Sequence, residues 1–115
     1  MKFEKRRLEP LDIGLCGKKY PARMTFRGML TVEELLGEAF FAAYNRFALG
    51  NFTSRDVQVF LYACLKEGGV EVELADLDDL DFSISTIADI DSVIARGTKI
   101  EGEFAEAAES KEKKT

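Results

Sequence analysis

The chain contains no histidine. That removes the commonest general base and the commonest metal ligand. Cysteine is nearly as scarce. Cys16 and Cys64 are the only two; they lie far apart among apolar neighbours and read as small buried hydrophobes. Two isolated thiols do not make a structural zinc site. Basic residues are outnumbered, 16 Lys and Arg against 21 Asp and Glu, for a net charge of -5. Nucleic-acid affinity needs clustered Lys and Arg, and so does adhesion to an anionic membrane surface, so neither is expected. No apolar run approaches the length of a membrane span. No apolar signal region follows the charged start Met1–Arg7, so the cytoplasm is the expected location. No glycine series leads into a Lys-Ser or Lys-Thr phosphate loop. The expectation is therefore a protein that is not an enzyme and takes no cofactor or metal.

What is present fits one domain of 115 residues. Residues 1–10 read as a mobile charged arm, 11–97 as a single α+β body, and 98–115 as a polar tail, frayed or disordered. The body is expected to be an N-terminal β-hairpin packed on a small bundle of about three to four helices. Leu11, Ile13 and Leu15 alternate with Asp12, Gly14 and Cys16. After the turn signal Gly17-Lys18-Lys19, Tyr20, Ala22, Met24 and Phe26 alternate with Pro21, Arg23, Thr25 and Arg27. Period-two alternation on both sides of a short glycine-containing turn predicts the hairpin, with Pro21 weakening the start of its second strand.

Thr31-Val32-Glu33-Glu34 has the form of a capping box and predicts a helix from Val32 to Leu49, stopped by Gly50-Asn51. Thr53 or Ser54 caps a second helix, with Asp56 in its first turn, ending near Lys66–Glu67 before Gly68-Gly69. Between Val70 and Phe82 strand and helix patterns overlap, and a short helical turn is expected over Ala75–Leu80. Ser83, Ser85 or Thr86 caps a third helix, which Gly97 ends.

From Glu67 to Asp91 the chain carries nine acidic residues and no basic one: Glu67, Glu71, Glu73, Asp76, Asp78, Asp79, Asp81, Asp89 and Asp91. A solvated acidic face is the plain reading, and steering of a basic partner is a second. A calcium loop fits poorly, because Leu80 stands where the fifth loop position of a site starting at Asp76 needs oxygen.

Read at 100° per residue, the first predicted helix has a core face of Val32, Leu35, Leu36, Ala39, Phe40, Ala43 and Phe47. Gly37, Phe41, Tyr44 and Ala48 form a second apolar stripe at i, i+4, i+7, i+11. On the second helix Val57, Phe60, Leu61, Cys64 and Leu65 form the core stripe, and Val59, Tyr62 and Ala63 lie largely on the other side. Two readings stand. Either the hairpin covers one face and the third helix the other, or one stripe is a contact surface for another subunit or a client helix. Gly37, Phe41, Tyr44, Ala48, Val59 and Tyr62 are the candidate contact residues.

The order of elements is familiar. A hairpin with a Gly-Lys-Lys turn, Phe26-Arg27-Gly28-Met29-Leu30, a helix with Glu33-Glu34-Leu35, a break at Gly50, and Ser54-Arg55-Asp56-Val57 opening a second helix resembles the tail assembly chaperones of long-tailed bacteriophages. Their relatives in prophages and gene transfer agents are similar too. The resemblance covers about residues 11 to 97 and carries no catalytic signature. It implies a protein of virion morphogenesis that binds the tape-measure protein and holds it soluble in the bacterial host cytoplasm, with the tail-tube protein as a further candidate partner and a homo-oligomer as a candidate state. It also implies a longer, frameshifted form, with the codons of Lys111-Glu112-Lys113-Lys114 as the candidate slippery run. The alternatives are a structural virion component, such as a head–tail connector or minor tail protein, and a cellular protein-binding adaptor.

Overall fold

A computed structural model describes residues 9–81 and 83–98. The expected arm falls largely, and the expected tail almost wholly, outside these residues. Within them the fold is α+β: a two-stranded antiparallel hairpin followed by four helices. Strand β1 is Leu11–Leu15 and β2 is Lys18–Ala22. Helices follow at α1 Phe26–Leu36, α2 Phe40–Ala48, α3 Ser54–Glu67 and α4 Ile84–Thr98, with a 3-10 turn at Leu74–Leu77 between the last two.

The hairpin turn is tighter than the Gly17-Lys18-Lys19 pattern predicts. Leu15 pairs with Lys18 across a loop of Cys16 and Gly17 alone. Both loop residues have positive φ, 51° and 79°, as a two-residue turn matched to strand twist requires. Cys16 is therefore exposed at the tip rather than buried. Cys64 is fully buried, and burial pushes its thiol pKa up.

The second strand stops at Ala22 instead of running to Arg27. Thr25 ends the extended run: its Oγ1 accepts the Gly28 N–H at 3.1 Å and donates to Glu67 Oε1 at 2.6 Å. That cap opens α1 at Phe26, six residues before the predicted start at Val32. Thr31 caps nothing. It lies inside α1, and its hydroxyl donates to the Arg27 carbonyl one turn back.

The predicted helix 32–49 is two helices. Gly37 adopts the left-handed conformation at φ 70° and its N–H closes α1 on the Glu33 carbonyl, the arrangement that glycine tolerates best at a helix C-terminus. Ala39 starts α2 with no side-chain cap of its own. Glu33 supplies one from α1: its Oε2 accepts the Phe40 N–H at 2.9 Å.

Thr53 caps α3 as expected, in a reciprocal box with Asp56. Gln58 holds the 3-10 turn to α3, its Nε2 donating to the Leu74 carbonyl at 3.1 Å and to Asp78 Oδ1. Helix α4 runs through Gly97 to Thr98. Gly97 does not end it; a Cβ there would lie 2.4 Å from the Met24 carbonyl oxygen.

The core centres on α3. Val57, Val59, Phe60, Leu61, Ala63, Cys64 and Leu65 are all buried. Phe60 meets Phe40 edge-on at 5.8 Å and Phe47 at 5.1 Å. The Arg23 N–H donates to the Cys64 carbonyl at 3.0 Å, fastening the chain after β2 to the same helix. Ile13, Leu15, Ala22 and Met24 fill the hairpin side, and Ile90, Val93 and Ile94 the α4 side.

Helix α4 also closes the free edge of β1. Asp89 Oδ2 accepts the Gly14 N–H at 3.0 Å, and Thr86 Oγ1 donates to the Gly14 carbonyl at 2.8 Å. A third strand would satisfy the same two backbone groups; here side chains do so and cover the edge. Thr86 is buried at 2% exposure. Thr86→Val keeps its shape and strands the Gly14 carbonyl, so it is expected to cost about 1–2 kcal/mol. Urea unfolding checks this, and an unchanged midpoint would show the bond to be dispensable.

Candidate interaction surface

Helix α2 is sorted sharply by face. Phe40, Ala43, Tyr44 and Phe47 are buried. Phe41, Ala42, Asn45 and Ala48, with Leu49 just past its end, are exposed. Two large apolar side chains in that outward set are well open to solvent, Phe41 at 53% and Leu49 at 69%. The helix is held at one side by Arg46, whose Nε and Nη2 donate to Asp56 at 3.0 and 2.8 Å and whose Nη2 also meets Glu38 at 2.6 Å. It is held at the other by Tyr44, whose hydroxyl donates to Asp91 Oδ1 at 2.9 Å.

Asp56 is buried, yet Arg46 holds its carboxyl below the usual carboxylate range, with help from the Thr53 N–H against the opposing effect of burial. These contacts orient α2 and leave its outer face free of charged side chains.

The six residues singled out from the sequence do not form one stripe. Gly37, Phe41 and Ala48 are exposed. Tyr44 faces α4 and Val59 is fully buried in α3. Tyr62 is half-buried, with the Lys66 ammonium donating to its hydroxyl at 3.2 Å and lying 5.5 Å from its ring centre. The premise of a continuous helix fails at Gly37, because a left-handed residue resets the 100° count. For α3 the reading in which neighbours cover both faces is the one the fold adopts. For α2 it is not. Ala42, Asn45 and Leu49 were missed; starting the count at Phe40, after the glycine, places them beside Phe41.

Other exposed apolar side chains are Phe26 at 74% and Leu30 at 51% on α1, and Ile84 at 82% at the start of α4. A shallow groove runs between the hairpin turn and α4, lined by Lys18, Lys19, Asp81, Ser83 and Ser85 among others. Cys16 Sγ donates to the Asp81 carbonyl across it at 3.5 Å.

At least four of the nine acidic residues do structural work: Asp76 caps the 3-10 turn, Asp78 receives Gln58, Asp89 holds Gly14 and Asp91 receives Tyr44. Among the described residues no group of three or more acidic or cysteine side chains is placed to hold a metal ion. No described helix is long and apolar enough to cross a membrane.

Residues 11–96 match a family model described as "Phage tail tube protein, GTA-gp10". The chain belongs to this family. The match runs from the first residue of β1 into the last turn of α4, so it takes in the hairpin, the bundle and the outer face of α2 together. The searches of curated proteins and of solved structures returned no match. The protein is thus related to phage and gene-transfer-agent tails, a coarser assignment than the chaperone that the order of its elements resembles.

Proposed function

We infer that the chain is a non-catalytic structural component of the tail, acting by protein–protein contact in the host cytoplasm where tails are built. The observation that carries this reading is the match to a tail tube family over residues 11–96. The surface supports it. A subunit of an assembly needs faces that are rigid and uncharged enough to meet a neighbour, and α2 presents such a face, fixed from behind by Arg46–Asp56 and Tyr44–Asp91.

A second reading, a chaperone for the tape-measure protein, is favoured by the exposed apolar side chains on three helices, Phe26, Leu30, Phe41, Leu49 and Ile84. Helical clients dock by laying an apolar stripe into such surfaces.

Mass spectrometry of purified particles separates the two. The structural reading expects the chain in finished tails at a fixed ratio to the tube subunit. Absence from particles, together with rescue of tape-measure solubility on co-expression, would sink it and leave the chaperone. Absence without rescue would remove both.

A further inference from the structure

The outward face of α2 has an internal symmetry. Its exposed residues run Phe41-Ala42, then Asn45, then Ala48-Leu49. On a helix turning 100° per residue, Asn45 sits at the centre of an arc of about 120°, Phe41 and Leu49 fall about 40° to either side, and Ala42 and Ala48 about 60°. The pattern therefore reads nearly the same in both directions along the helix.

We propose that this face pairs with the same face of a second copy, the two α2 helices running antiparallel about a two-fold axis at Asn45. A two-fold interface must be self-complementary: if residue i of one copy touches residue j of the other, residue j of the first touches residue i of the second. Antiparallel pairing brings Phe41 of each copy level with Leu49 of the other, and Ala42 level with Ala48 on the opposite side of the seam. Small side chains at both flanks let the helices approach closely. Asn45 meets its own counterpart, and a pair of amides satisfies itself, each NH2 donating to the other carbonyl. A polar residue at the centre of an apolar seam fixes register at a cost in affinity.

Charge selects the same occupant. The chain carries -5 overall, so most ways of bringing two copies together oppose carboxylates. The outer arc of α2 contains none. At its margin Arg46 is already shared by Glu38 and Asp56, so that cation does not call for an acidic partner.

Area sets the strength. A helix of 9 residues is only about 13 Å long, so the contact buries less than the roughly 800 Å² per partner of a standard interface. The pair is weak in isolation and gains where many copies are held together, since a contact between tethered copies works at raised effective concentration.

The test uses the full chain carrying Cys16→Ser, which removes the exposed native thiol. Asn45→Cys in that background lies on the axis and is expected to form an intermolecular disulfide under mild oxidant. Asp12→Cys, also exposed, is the control and is expected to link at least tenfold more slowly. In parallel, sedimentation velocity on the unaltered chain from about 10 µM to about 1 mM, the range suited to a small interface, is expected to show a monomer–dimer equilibrium. Phe41→Glu should weaken it tenfold or more with the circular dichroism unchanged; should that variant unfold, Leu49→Glu, outside the helix proper, takes its place. A monomer at every concentration overturns the proposal. So does a dimer indifferent to Phe41→Glu and Leu49→Glu, which would use another face, and so does linkage of Asn45→Cys no faster than Asp12→Cys.

Discussion

Gly68→Ala is expected to lower stability by about 3 kcal/mol, the upper end of what overpacking ordinarily costs. In a domain this size that is roughly 15 °C in melting temperature. The reason is not backbone conformation. Gly68 caps α3 at φ -79°, where any residue is comfortable. The obstacle is β2: an added Cβ would lie 2.2 Å from the Pro21 carbonyl oxygen and 2.7 Å from the Ala22 Cα. Those are backbone atoms in a strand, and they yield only if the hairpin moves off α3.

Gly97→Ala gives the companion result. In a helix interior alanine is normally worth about 1 kcal/mol over glycine, so α4 alone predicts stabilisation. The Met24 carbonyl oxygen, 2.4 Å from the would-be Cβ, predicts the reverse sign. Chemical unfolding of both variants checks the pair. If Gly97→Ala stabilises, α4 does not press on the Met24 backbone as closely as the fold places it.

Asp56→Asn is the second large effect. The Asp56 carboxylate is 2% exposed, accepts two bonds from Arg46, and accepts the Thr53 N–H that completes the α3 cap. One side chain therefore joins α2 to the start of α3. The amide keeps the shape, but it loses the charge and turns one oxygen into a donor facing the guanidinium. A loss of about 2–3 kcal/mol is expected, as for charge-assisted bonds broken on one side.

The pH dependence has a definite sign. Arg46 depresses the folded carboxyl below its ordinary value of 3.8. The ion pair thus stabilises the fold fully above that value, and its contribution is lost as the pH falls below it toward the lower folded pKa. Urea midpoints at pH 7, 5 and 3 should fall between pH 5 and 3 in the native chain and fall less in Asp56→Asn. Equal slopes would show that other carboxylates carry the acid sensitivity. The same variant loosens α2 from behind, so its outer face would lose its fixed orientation as well.

The local punctuation of the chain could be read directly. Alternation marked Leu11–Leu15, and Thr53 with Asp56 announced the start of α3, because those signals are satisfied within three or four residues of themselves. Thr31-Val32-Glu33-Glu34 was equally well formed and did not cap. Thr25 had already opened the helix, and what decided between the two was Glu67, forty-two residues away, accepting the Thr25 hydroxyl. The Gly37 break was visible only as a glycine. Whether the chain turns there depends on Glu33 capping α2 and on α2 packing by Phe40 and Phe47 against Phe60 of α3. The tail relationship was legible in element order, and the family match supports it at the level of the tail rather than of a chaperone.

By itself the sequence determined the kind of protein: α+β, acidic, without histidine, built from a hairpin and helices that carry more apolar surface than one face each. Composition and short-range pattern suffice for that, since each residue's alternation, cap or charge is a property of its neighbours in the chain. Which apolar face is covered is a property of neighbours in space. Val59 and Tyr44 are buried because α3 is central and α4 reaches α2 through Asp91; Phe41 and Leu49 stay exposed because nothing among the described residues packs over that side of α2. Burial is decided by what arrives from elsewhere in the chain, and only the tertiary structure says what arrives.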